Sequence, residues 1–147
     1  MRKGKRNKSG SVIEGKILLV DNEADIIEIY PQELRKHGLD VYGFTDPVVA
    51  LEEFRLNHDK YILVVSDIRM PKMNGFEFIR SIKELKPQVQ VLFITAFEIN
   101  SNEFSTVLPS TKVDGFIQKP IAPSKLADVI KEKIMSSTRL KEPAAYR

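Results

Sequence analysis

Several short apolar segments of this 147-residue chain end in a polar side chain suited to metal or phosphoryl chemistry. The side chains that follow them are Asp21, Asn22, Asp67, Thr95 and Lys119. Clustered carboxylates are the hard-oxygen ligands that Mg2+ prefers, and a carboxylate beside that metal can attack phosphorus to form an aspartyl phosphate. The transferring group also needs a cation and hydrogen-bond donors, which Lys119 and Thr95 supply. The set therefore predicts a phosphoryl-acceptor site.

Between these positions, short β-branched segments alternate with amphipathic ones, a pattern typical of βαβ units in a parallel sheet. Strands are predicted at Lys16–Asp21, Leu39–Phe44, Ile62–Asp67, Gln90–Thr95 and Asp114–Gln118. The first, third and fourth are nearly all apolar, as expected for strands covered on both faces. Ligands of open parallel sheets bind beyond the carboxyl ends of the strands, so the polar side chains should meet at one edge.

Five helices are predicted, and their boundaries carry familiar signals. Gly38 should end the first, while Asp46-Pro47, Asn74-Gly75 and Pro123-Ser124 should begin the second, third and last. Pro31 lies inside the first helix and lacks a backbone N–H, so we expect a kink or break there. The weak pattern over 98–112 predicts a short or mobile fourth helix. Five strands and five helices favour an α/β doubly wound fold.

Composition excludes several classes of protein. The chain has no cysteine, which removes disulfides, zinc–thiolate sites and thiol catalysis. Its longest unbroken aliphatic or aromatic run, Tyr61–Val65, is far too short to span a membrane, and no secretory signal is recognisable. A nucleotide- or flavin-binding domain of similar topology would be an alternative. The chain lacks G-x-G-x-x-G and a Walker loop, which argues against it.

The net charge of +3 is unevenly placed: +5 in residues 1–11, +2 in 137–147 and −4 between them. We therefore expect a basic flexible tail over 1–14, one folded domain over 15–136 and a flexible tail over 137–147. DNA binding through the tails is a further alternative, which salt-sensitive retention on DNA would reveal. Because the five charges of the N-terminal tail lack interleaved aromatics, we favour a solvated terminus without a nucleic-acid or membrane partner.

Four segments resemble those of response-regulator receiver domains, the phosphoacceptor modules of two-component signalling. They are ILLVDNE at the first strand, VVSDIRMPKMNGFEF around Asp67, FITAF at Thr95 and GFIQKPI at Lys119. The D-x-x-M-P-x-x-x-G run from Asp67 to Gly75 is the most specific, and the resemblance covers roughly 15–136. It implies a flavodoxin-like, five-stranded parallel sheet of order 2-1-3-4-5 with helices on both faces.

The resemblance also implies roles for single residues. Asp67 would be the phosphoacceptor, receiving its phosphoryl group from a histidine kinase or phosphotransfer protein, with Mg2+ as cofactor. Asp21, Asn22, Asp67 and the backbone carbonyl of Arg69 would hold the Mg2+. Lys119 would pair with the phosphoryl group, Thr95 would be the switch hydroxyl and Phe116 the switch aromatic. Pro120 occupies the position where the family has a cis peptide. Phe116 could equally be an ordinary core residue.

The chain departs from the family at Asn22, where receivers usually carry a second acid that binds the metal. An amide brings no charge, so we expect metal affinity to fall by roughly tenfold or more. Glu23 is expected to begin the helix and point away. Two interpretations stay open. One is a cytoplasmic, stand-alone, non-enzymatic receiver that signals to an unidentified protein through its helix 4, strand 5 and helix 5 face, where it could also homodimerise. The other is a phosphorylation-independent interaction module.

Overall fold

The computed structural model of the chain describes residues 13–96 and 113–141, with side chains described to residue 137. Residues 1–12 of the predicted basic tail, the predicted fourth helix over 98–112 and residues 142–147 lie outside the described residues.

A single five-stranded parallel sheet forms the centre of the fold. Its strands are β1 (Lys16–Val20), β2 (Asp40–Phe44), β3 (Tyr61–Asp67), β4 (Gln90–Thr95) and β5 (Gly115–Gln118). Their spatial order is β2-β1-β3-β4-β5, which confirms the predicted 2-1-3-4-5 topology. Each predicted strand is present and begins and ends within one residue of its predicted limits.

The described helices pack on both faces of this sheet. They are α1 (Ala24–Lys36), α2 (Pro47–Asn57), α3 (Gly75–Leu85) and the C-terminal α4 (Pro123–Lys141), with a short 3-10 turn at His58–Lys60. The predicted helix starts are confirmed: Oδ1 of Asp46 accepts a hydrogen bond from the N–H of Val48, and Pro47 is the first residue of α2. The helix α4 runs to Lys141, past the domain boundary predicted at residue 136.

Pro31 does not break the first helix, so of the kink or break expected there, the break is wrong. Helix α1 continues from Ala24 to Lys36 with Pro31 buried inside it. The proline ring lies against β2 at Gly43, where an added Cβ would come within 2.9 Å of the Pro31 Cγ. Packing of the ring against the sheet offsets the backbone hydrogen bond that proline cannot donate.

Alternate residues of the strands enter two separate cores, one on each face of the sheet. On one face, Leu18, Val64 and Phe93 pack with Phe54 of α2 and Ile79 of α3. On the other, Leu19, Val65, Leu92 and Ile94 pack with residues of α1 and α4. This double burial holds the strands rigidly and fixes the edge where they end. None of the helices in the described ranges has the length and apolar character needed to cross a membrane.

Candidate functional site

The carboxyl ends of four neighbouring strands bring the predicted polar side chains to one edge of the sheet. Asp21, Asp67 and Thr95 are buried, with 0%, 5% and 1% of their surface exposed, and only 9% of the Lys119 side chain is exposed. The register pairs Asp67 with Ile94, directly before Thr95. Four polar residues lie within or directly beside a hydrophobic sheet, an arrangement that folding alone disfavours and that marks a functional site.

Asp21 is fixed by the turn that follows β1. Its backbone N–H donates to the carbonyl of Phe44 at 3.1 Å, and its Oδ1 accepts a hydrogen bond from the N–H of Glu23 at 2.9 Å. Its other oxygen, Oδ2, is buried without a hydrogen bond of acceptable geometry and lies 2.7 Å from Nζ of Lys119. A buried carboxylate oxygen placed in this way can bind a cation.

Asp67 ends β3 and is held by the loop that leads into α3. Its Oδ1 accepts a hydrogen bond from the N–H of Ile68 at 2.7 Å, and the carbonyl of Ile68 accepts one from the N–H of Gly75 at 2.7 Å. Asn74 and Glu77 close the start of α3 with reciprocal side-chain to backbone hydrogen bonds. The loop is thus ordered at both ends, and Oδ2 of Asp67 lies toward Lys119.

Lys119 is positioned by backbone contacts on either side. Its N–H donates to the carbonyl of Thr95 at 2.7 Å, and the Lys119–Pro120 peptide bond is cis, as the family resemblance implied. The hydroxyl of Tyr30 on α1 donates to the carbonyl of Ile121 at 2.5 Å. These bonds direct the ammonium to three carboxylates: Nζ lies 2.7 Å from Asp21, 3.0 Å from Glu23 and 3.4 Å from Asp67.

The titration properties of the site follow from burial and close charges. Burial raises the pKa of Asp67, and the neighbouring charge of Asp21 raises it further, while Lys119 opposes both effects. Burial by itself lowers the pKa of Lys119, but the close carboxylates of Asp21, Glu23 and Asp67 outweigh it and raise that pKa above its usual value. Lys119 therefore remains an ammonium that partly neutralises the carboxylates.

The expectation that Glu23 points away from the site is wrong. Its carboxylate reaches Lys119, while the side chain of Asn22 is exposed to solvent. One carboxylate oxygen from each of Asp21, Glu23 and Asp67 lies within 4.8 Å of the other two. The sequence did contain a signal for this arrangement, since an acid directly follows the position where the expected acid is missing.

This group of side chains fits a divalent cation. Three carboxylates facing one ammonium leave a formal charge of −2, which one Mg2+ would balance. The donors are all oxygens, which Mg2+ prefers, and they include the buried Oδ2 of Asp21, which already pairs with the positive charge of Lys119. Asp21, Glu23 and Asp67 are the described side chains that could contribute to holding it.

The remaining predicted residues lie around this group. Thr95 is buried at the end of β4, beside the Asp67 strand, and Arg69 is exposed in the loop after Asp67. Phe116 on β5 is 37% exposed and stacks on the buried Phe93 at 5.8 Å between ring centroids. Phe116 is therefore neither a fully buried core residue nor a freely exposed one.

Comparisons with known proteins agree with this geometry. Residues 17–131 match the family model described as the response regulator receiver domain. Two curated relatives are the alkaline phosphatase synthesis transcriptional regulatory protein PhoP of Bacillus subtilis and the phosphoglycerate transport system transcriptional regulatory protein PgtA of Salmonella typhimurium. PhoP is 30% identical over 76% of this chain and 45% of its own length, and PgtA is 29% identical over 82% and 28%.

A solved structure agrees over most of the chain. It is a CheY-like response regulator receiver domain protein from Methanospirillum hungatei JF-1, with a TM-score of 0.76 and 25% identity, and the match covers 86% of this chain and 98% of that one. The chain spans less than half the length of the two curated relatives named above, whereas it spans nearly all of this solved receiver.

Proposed function

This chain belongs to the response regulator receiver domain family of two-component systems, and from that premise we propose that it accepts a phosphoryl group on Asp67 in a Mg2+-dependent reaction. The observation that carries the proposal is the position of Asp67. Its carboxylate is buried at the edge of the sheet, 3.4 Å from the ammonium of Lys119 and beside two further carboxylates. A purely structural aspartate gains nothing from two acidic neighbours, whereas a metal-assisted phosphoacceptor requires them.

The reaction follows from these contacts. A carboxylate oxygen of Asp67 forms a bond to phosphorus while the bond from phosphorus to the donor breaks, and the donor leaves with its electron pair. Bound Mg2+ would supply positive charge to the phosphoryl oxygens. Lys119 is held near Asp67 and provides a second positive charge, and the hydrogen bond from Ile68 to Oδ1 fixes the orientation of the carboxylate.

Phosphorylation of the purified chain by acetyl phosphate tests the proposal directly. Intact mass should show the gain of one phosphoryl group in Mg2+ and no gain when EDTA removes the cation, because three clustered carboxylates repel an anionic donor unless a cation neutralises them. Modification that proceeds equally well in EDTA would contradict the metal-dependent site.

The alternative function is a receiver-like interaction module that needs no phosphate, and Asn22 is the observation that favours it. The Asn22→Asp variant distinguishes the two in the same assay. If wild type gains no phosphoryl group but Asn22→Asp does, the native chain works without phosphorylation. If both gain it, Asn22 only adjusts the rate.

We propose that the signal leaves the site through Thr95 and Phe116. Phosphorylation adds close to two negative charges beside the end of β4, and the Thr95 hydroxyl gains a hydrogen bond by moving toward them. Phe116 could then rotate inward, since the ring is stacked on Phe93 but still 37% exposed. In this proposal the chain has two conformations, with Phe116 partly exposed or turned inward. The phosphoryl group changes their relative populations only through contacts that differ between the two.

Thr95→Ala should separate phosphorylation from the conformational response. The variant keeps the carboxylates and Lys119, so it should be modified within roughly threefold of the wild-type rate, but the backbone amide chemical shifts of β5 should no longer change on phosphorylation. Thr95→Ser, which keeps the hydroxyl, is the matched control and should respond like wild type. A full response in Thr95→Ala would show that the signal takes another route.

The implied partners are a histidine kinase or phosphotransfer protein as donor and a separate protein as target, in the cytoplasm. Support comes from the family; the sensor kinase CckA of Brucella abortus also matches, at 28% identity over 80% of this chain and 12% of its own length. In this proposal the domain is a signalling module rather than an enzyme, with at most self-phosphorylation from small donors and slow autodephosphorylation.

A further inference from the structure

The most informative departure from the sequence-based expectation is the position of Glu23. It is the first residue after Asn22, and its Oε2 lies 3.0 Å from Nζ of Lys119, on the same ammonium that contacts Asp21 and Asp67. Three acids therefore share one cation at the sheet edge, and the third is supplied by a residue outside the usual acidic pair.

The turn after β1 explains how Glu23 reaches this position. The N–H of Glu23 donates to Oδ1 of Asp21 at 2.9 Å, which bends the chain directly after Asn22. As a result the Asn22 side chain is exposed, while Glu23, as the residue preceding α1, extends its carboxylate to the buried ammonium.

We propose that Glu23 supplies the second acidic ligand of the divalent-cation site, in place of Asn22. This inference rests on the proposed function, because it assigns a residue of this chain to the metal that phosphoryl transfer requires. The buried Oδ2 of Asp21 independently indicates positive charge at this edge, because it has no hydrogen bond of acceptable geometry and lies 2.7 Å from the ammonium of Lys119.

Both side chains are exposed, but charge and position favour Glu23 over Asn22 as the ligand, since the Glu23 carboxylate already reaches Nζ of Lys119. Affinity for hard cations rises with the number of charged ligands, and Asn22 offers none. The Glu23 side chain is 56% exposed, so its carboxylate is not enclosed and can exchange Lys119 for a cation without repacking the core. Lys119, released from Glu23, remains beside Asp21 and Asp67.

Titration of the full chain with Mn2+ tests this assignment without any phosphorylation step. Mn2+ replaces Mg2+ at oxygen ligands, and electron paramagnetic resonance detects the free ion. Glu23→Gln should weaken Mn2+ binding by about tenfold or more, as the loss of one charge-assisted ligand predicts. Asn22→Ala should change it by less than about threefold. Asp25→Asn is the matched control for charge, since Asp25 is an exposed acid in the first turn of α1, and it should change binding by about twofold or less.

Each outcome bears on the proposal. Binding by Glu23→Gln within twofold of wild type would overturn it, as would a tenfold loss in Asn22→Ala or the absence of any Mn2+ binding by wild type. Thermal unfolding of every variant in EDTA checks that weaker binding is not caused by a damaged fold, and Glu23→Asp should restore part of the affinity if charge is what matters. The proposed function is tested separately, by the gain of a phosphoryl group on Asp67 in the acetyl phosphate assay.

Discussion

Asp67→Asn is expected to abolish phosphorylation by acetyl phosphate while leaving the chain fully folded. The amide has nearly the shape of the carboxylate and can still accept the hydrogen bond from Ile68, but it is not a nucleophile toward phosphorus. The gain in intact mass seen in wild type should therefore fall below detection in Mg2+. This is the largest change in activity expected of any single substitution in the chain.

The same variant should be as stable as wild type or more stable in EDTA. Burial and the charge of Asp21 raise the pKa of Asp67, so its ionised form costs free energy in the folded state. Removing that charge should raise the free energy of unfolding or leave it unchanged, which urea denaturation at pH 7 measures.

Asp59→Asn provides the matched control for Asp67→Asn. Asp59 is an exposed aspartate in the 3-10 turn before β3, so its replacement should change neither phosphorylation nor stability measurably. A gain of one phosphoryl group by Asp67→Asn would show that another residue is the acceptor. Loss of stability in that variant would mean that the ionised carboxylate stabilises the fold rather than opposing it.

The strands and their order could be predicted because their signals are local and agree with one another. Gln90–Thr95, for example, is an apolar run with both faces covered, and its observed bounds equal the predicted ones. Pro31 shows where local reasoning ends. Its effect on the helix depends on the space that Gly43 leaves on β2, and no pattern in the first helix reports that space.

The residues of the candidate site also fall into those that the sequence could place and one that it could not. Because parallel strands end at one edge, the residue types and the strand order sufficed to place Asp21, Asp67 and Lys119 together. The direction of the Glu23 side chain was not accessible. It depends on a hydrogen bond within the β1–α1 turn and on an ammonium 96 residues further along the chain.

Gly75→Ala should destabilise the fold more than Gly43→Ala or Gly115→Ala. These are the other glycines whose surroundings are described and whose φ is not in the left-handed region. A Cβ at this position would lie 2.3 Å from the carbonyl oxygen of Asp67 and 2.7 Å from Cα of Ile68. Both are backbone atoms at the end of β3 and the start of the loop that follows it, so neither yields as a flexible side chain would. We expect the free energy of unfolding in urea to fall by about 2 kcal/mol or more.

The sign of this effect makes the prediction discriminating. In an ordinary helix, replacing glycine with alanine stabilises by up to about 1 kcal/mol, and Gly75 is the first residue of α3. Gly115→Ala is the matched control, because the nearest atoms there, Cδ2 of Leu92 at 3.0 Å and Cε of Lys133 at 3.4 Å, belong to flexible side chains. Its stability should stay within about 1 kcal/mol of wild type. If Gly75→Ala left the free energy of unfolding unchanged, the glycine that ends the D-x-x-M-P-x-x-x-G run would be needed only for the geometry at the start of α3. If it is destabilised and also phosphorylated slowly, the glycine is there to let α3 begin directly against the strand that presents Asp67.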